Sequence, residues 1–137
     1  MAYQFAGFFA QPAVSKPLDL PANAVWREIT SPFAGVGVRL PDLIGSRPAV
    51  ADVESLASQL GLEKADRWLY LIYVCWGGTI DFVYGVGSSM GTRFGPFEES
   101  ALDRVERVYT ELMGSFGVSP TDALQFPPFI RGYWGDV

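Results

Sequence analysis

The residues that most invite a chemical reading are the glycines and serines of Gly85-Val86-Gly87-Ser88-Ser89-Met90-Gly91. Glycines let backbone N–H groups come close to a phosphate, which is the logic of nucleotide-binding loops. Here the spacing departs by one residue from G-x-G-x-x-G and no G-K-[ST] is present. The next helical pattern also starts several residues too late to aim its N-terminus at the loop. The stretch from Gly85 to Phe97 therefore reads as a glycine-rich surface loop.

Ser88 or Ser89 as a nucleophile needs a base, and the chain has no histidine; neither Lys16 nor Lys64 stands in a motif that would supply one. The single cysteine, Cys75, has no histidine to activate it and lies in an apolar run, so it reads as a packed core thiol. A Cys/His zinc or haem site has no ligand set, and no metal or cofactor is implied.

Carboxylates remain. Asp81 is flanked by Ile80, Phe82 and Val83, and a half-buried strand carboxylate beside a hairpin can serve as a general acid or base. It can equally face solvent, accept hydrogen bonds from the backbone of the turn, or pair with Arg93 or Arg131. Together with Tyr84 and Arg93 it marks the mouth of a candidate aromatic-lined pocket between sheet and helices.

Glu99, Asp103 and Glu106 share one side of the last long helical pattern. From Leu69 onward there are eight acids against four arginines, whereas residues 1–68 hold seven acids against six bases. An ordinary solvated face, with an i,i+4 pair from Asp103 to Arg107, accounts for this pattern. A surface for a basic partner accounts for it as well. Near the C-terminus, Phe129, Arg131, Tyr133 and Trp134 are of the types that dominate protein interfaces, and they follow Phe126-Pro127-Pro128. Such a tail docks either on its own domain as an edge cover or on a partner.

The 137 residues suffice for one domain that buries a core without staples. A formal net charge of -5 argues against reading nucleic acid through its phosphates. The apolar start from Met1 to Ala10 lacks a basic n-region and is broken by Gln4 and Gly7, unlike a signal peptide. The uncharged run from Trp68 to Ile80 is too short for a bilayer span of ~20 residues. A cytoplasmic location is expected, and the preference for arginine over lysine suggests a bacterial origin.

The elements that must position these residues follow from periodicity. Tyr3–Ala10 is aromatic and β-prone; Ala24–Thr30 and Phe33–Leu40 alternate with period two and form an antiparallel pair around Ser31-Pro32. Val50, Val53, Leu56, Ala57 and Leu60 define a helix over about 49–60, closed by Gly61. Arg67–Trp76 is apolar on both alternating faces and belongs in the middle of a sheet. Gly77-Gly78 turns it into a hairpin with Thr79–Val86. A second helix over about 98–116 opens on a capping box from Ser100 to Asp103, Ser119-Pro120 starts a short turn, and Phe126–Phe129 is extended.

The expectation is a single α+β domain over residues 1–137: a mostly antiparallel sheet of about five strands, in the order β-β-β-α-β-β-α, with two helices packed on one face. The functional expectation is a small bacterial interaction protein with a basic protein partner, such as an immunity protein that neutralises a toxin. Its alternative is a small-molecule-binding domain or enzyme using the pocket near Asp81, Tyr84 and Arg93. Neither nucleic acid nor membrane is expected as a partner.

Overall fold

The computed structural model describes residues 3–76, 79–129 and 133–134. The Gly77-Gly78 turn and Arg131 lie outside the described residues. Six strands form one antiparallel sheet: β1 (Tyr3–Gln11), β2 (Val25–Ile29), β3 (Gly35–Arg39), β4 (Arg67–Trp76), β5 (Thr79–Ser89) and β6 (Thr92–Glu99), in the spatial order β2-β3-β1-β4-β5-β6. Three α-helices accompany it: α1 (Val50–Gln59), α2 (Val105–Gly114) and the short α3 (Pro120–Leu124). The α+β class and the antiparallel sheet agree with the sequence pattern.

The sixth strand was hidden in the glycine-rich segment. Gly85 to Ser89 continue β5, and Met90-Gly91 turn it into β6 with φ of 52° and 85°. Two consecutive positive φ values are what a tight hairpin turn with the right twist requires. Phosphate-cradle geometry is thus replaced by a strand ladder that pairs Ser88 with Arg93 and Ser89 with Thr92. Gly85 has a packing role: a Cβ there would stand 2.6 Å from a Leu112 methyl, so a larger residue would push that side chain of α2 aside.

The helices cover opposite faces of the sheet, a correction to the expectation of both on one face. Side chains alternate along each strand, so Phe5 and Phe9 of β1 and Leu69 and Leu71 of β4 point one way. They pack with Val105, Tyr109, Leu112 and Met113 of α2 and Ala123 of α3. Phe8, Trp68, Tyr70 and Ile72 point the other way, against Val53, Ala57 and Leu60 of α1. A strand that is apolar on both alternations requires a cover on both faces, and a three-layer arrangement supplies it.

The ends of the elements follow local chemistry. Gly61, at φ 76°, takes the left-handed position after α1, as its sequence position predicted. α2 starts seven residues later than expected, because Glu98 and Glu99 belong to β6 and residues 102–104 form a turn. No capping box forms at Ser100; Ser119 instead caps α3 by accepting from the Asp122 N–H at 3.2 Å. The Pro127–Phe129 stretch is a 3-10 turn rather than extended chain, with the Phe129 N–H bonded to the Phe126 carbonyl at 3.0 Å. Prolines are well suited to a first turn, where their missing N–H groups are not needed.

Candidate functional site

Asp81, Tyr84 and Arg93 are not brought together. The β4–β5 register passes from Val74↔Phe82 to Cys75↔Ile80, which leaves Asp81 as the extra residue of a bulge. Its Oδ2 accepts the Trp76 N–H at 2.7 Å, one of the roles its neighbourhood allowed. Tyr84 is buried among the residues facing α1, where burial raises its pKa, Arg47 lowers it and Glu98 raises it. Arg93 is exposed at the far end of β5–β6, and its Nη1 lies 3.5 Å from Glu54 on α1. Cys75 is half-buried near the end of β4 rather than fully enclosed, since the middle of that strand, not its end, carries the core.

The C-terminal aromatics pack on the sheet of their own chain. Phe129 stacks on Tyr73 at 4.2 Å between ring centroids and touches Tyr3, Phe5, Phe9 and Phe126. Trp134 is 4% exposed, and its Nε1–H donates to the Pro128 carbonyl at 2.8 Å. The same carbonyl accepts the Tyr3 hydroxyl at 2.8 Å. Tyr133 lies under the Arg27 guanidinium, 5.1 Å from the ring centroid, and its carbonyl accepts from Arg27 Nη1 at 2.6 Å. These contacts are the self-docking alternative, with the tail covering a face of the sheet rather than an edge.

The three acids divide into two groups. Glu99 has a structural role: its Oε2 accepts the N–H groups of Ser100 and Ala101 at 3.2 and 3.1 Å, and its Oε1 lies 3.4 Å from Arg104 Nε. Asp103 and Glu106 are exposed and, among the described residues, form no ion pair. Arg107, the expected partner of Asp103, pairs with Glu111 instead. Both free carboxylates line an open groove of about 620 Å³ between the strand ends and the two C-terminal helices, together with Tyr73, Ile80, Leu102 and Leu124. Leu102 and Leu124 are 64% and 48% exposed, well above what a core leucine shows. The late start of α2 leaves Leu102 in the preceding turn rather than inside the helix expected over about 98–116.

A second concavity lies on the opposite face, at the N-terminal end of α1. It measures about 340 Å³ and is walled by Leu43, Pro48, Val53 and Leu56, with Ser46, Arg47 and Asp52 as polar members and Tyr70 among its lining. Tyr70 has no exposed surface, and among the described residues its hydroxyl has no hydrogen-bond partner. Leaving such a group unsatisfied costs about 1–3 kcal/mol. Burial, followed by the neighbouring Tyr84, raises the Tyr70 pKa far above its usual value, so the hydroxyl remains protonated and a donor. The sequence carries one weak signal for this site, one of two tyrosines in a largely apolar central strand, and it gained meaning only when the chain segment over it was placed.

Among the described residues, no group of three or more Asp, Glu or Cys side chains is gathered as a metal centre, and no helix is long and apolar enough to cross a membrane. Comparison of the chain with protein-family models, with curated proteins and with solved structures finds no match.

Proposed function

We propose that this chain acts by binding a basic protein partner, in the manner of a bacterial immunity protein that covers a toxin, and that the groove between the strand ends and α2–α3 is the contact. The observation that carries this reading is the combination at its rim: two exposed leucines beside two carboxylates that, among the described residues, form no ion pair, the groove's one lining cation, Arg107, being paired with Glu111. An apolar anchor surrounded by charge is the pattern of an interface in which burial supplies affinity and charge supplies rate and specificity. The net charge of -5 adds a long-range attraction of the same sign. The aromatic tail supports this surface from beneath, through the Tyr73–Phe129 stack, rather than forming it.

The test is capture at low salt from the native cell, with wild type compared against Leu102→Asp with Leu124→Asp, and against Asp103→Lys with Glu106→Lys. The reading expects a basic protein retained by wild type, lost with the leucine variant, and bound with an association rate about one to two orders of magnitude lower by the charge variant. Equal retention by all three proteins removes the groove from the interface.

A further inference from the structure

We propose that the cavity under residues 43–48 and α1 binds a small uncharged organic molecule carrying a carbonyl-type acceptor, which takes its hydrogen bond from the Tyr70 hydroxyl while its apolar body lies against Leu43, Val53 and Leu56. Two observations converge on it, and the donor character of the phenol follows from the second. The volume, about 340 Å³, is within the range of small-molecule sites, roughly 300–1,000 Å³. The hydroxyl belongs to a residue of the lining and is unpartnered among the described residues, whereas buried polar groups normally have partners; it has essentially no accessible surface in this structure, so a ligand reaches it as the side chains between it and the cavity give way. As a protonated phenol it offers a donor, so the matching group on a ligand is an acceptor.

The net charge of the ligand follows from the polar members of the site. Arg47 is already held by Glu98, and Asp52 sits in the first turn of α1, so cationic and anionic groups offset one another near the opening. With walls of Leu, Pro and Val behind them, an anionic ligand would lose its hydration without gaining a free counter-charge, and Asp52, exposed at the positive end of α1, offers a cation only a water-screened attraction. A neutral molecule, apolar over most of its surface and polar at one end, avoids that penalty. This site is on the opposite face of the sheet from the α2–α3 groove, so either assignment stands if the other falls.

Acetophenone is a suitable probe and benzene its control, read by methyl and amide shifts in two-dimensional NMR. Wild type is expected to bind acetophenone with shifts centred on Leu43, Val53 and Leu56. Tyr70→Phe, which keeps the ring and its packing, is expected to weaken acetophenone about tenfold while benzene binds equally or better. Ser46→Phe, a change at an exposed residue of the opening, is expected to block both probes while the remaining spectrum stays that of the folded protein. Failure of acetophenone to bind overturns the proposal and leaves ordered water as the hydroxyl's partner. Unchanged acetophenone affinity in Tyr70→Phe, or unchanged binding of both probes in Ser46→Phe, overturns it as well.

Discussion

Truncation of Trp134 should cost stability rather than recognition. The indole is buried, lies 5.7 Å from Phe5 between ring centroids, and donates one hydrogen bond to Pro128. Trp134→Ala removes the ring and leaves a cavity against β1 and β3, for an expected loss of about 3–5 kcal/mol. That is a large share of the ~5–15 kcal/mol available to a domain. Trp134→Phe retains much of the volume but loses the bond; the Pro128 carbonyl keeps its Tyr3 donor, so the expected loss is only about 1–2 kcal/mol. Gly37 reports on the same contact from the other side, since a Cβ at that position would stand 2.9 Å from the indole and 3.0 and 3.2 Å from Ile29 and Phe9. Gly37→Ala alone should cost roughly 1–3 kcal/mol by overpacking. In the Trp134→Phe background the tightest of the three contacts is relieved, and the two changes should couple by about 1 kcal/mol. Urea unfolding followed by far-ultraviolet circular dichroism, which does not depend on the deleted indole, measures all four corners. A loss under ~1 kcal/mol for Trp134→Ala, or an identical cost of Gly37→Ala in both backgrounds, would refute the docking of this tail on the sheet.

Other consequences can be checked on the isolated protein. Asp103→Asn and Glu106→Gln should each change stability by less than about 0.5 kcal/mol, whereas Glu99→Gln should cost about 1 kcal/mol, because it weakens bonds to two backbone N–H groups and an arginine; chemical denaturation separates the two outcomes. Burial raises the pKa values of Tyr70, Tyr73 and Tyr109 above the tyrosine norm of about 10. The folded state therefore holds these protons more tightly than the unfolded chain. Stability should be insensitive to their titration near neutrality and should fall as pH rises past ~10, with phenolate absorbance appearing together with unfolding rather than before it. Cys75, half-buried near a strand end, should react with a thiol reagent in the native protein, and Cys75→Ala should cost about 1 kcal/mol or less. Protection as complete as that of a core thiol would contradict the position of this residue.

The parts of the fold legible in the sequence are those where periodicity and burial agree. β4 is apolar from Trp68 to Trp76 without interruption, the first part of β5 carries Ile80, Phe82, Val83 and Tyr84, and α1 has one apolar stripe and a terminal glycine. β6 was missed because an edge strand is specified mainly by its partner: Arg93, Gly95, Pro96 and Glu98 have neither the alternation nor the composition of a buried strand. The placement of α1 on the second face had a readable signal in Phe5 and Phe9 against Phe8 and Ala10, an alternation apolar in both phases, but its meaning depended on which helix covered which phase. The candidate sites were less legible. Asp103 and Glu106 could be recognised as exposed, yet the groove beside them requires α3 and the strand ends to meet, and sequence spacing does not encode that meeting. Tyr70 adds one hydroxyl to an apolar stretch, and only the tertiary structure shows that nothing among the described residues answers it.

The place of β1 in the sheet also bears on how the chain is made. The first of these six strands to be synthesised lies between β3 and β4, and Phe5 finds its cross-strand partner in Tyr73, 68 residues further along. Until β4 has been synthesised, β1 has only the short β3 and β2 to pair with, and its other edge and much of its aromatic surface stay uncovered. The β4–β5 hairpin is local and closes quickly; insertion of β1 must wait for it and carries the larger loop-closure entropy. In pulse-labelled hydrogen exchange, amides of β4 and β5 should accordingly gain protection before those of β1, even though β1 is older in the chain by more than fifty residues.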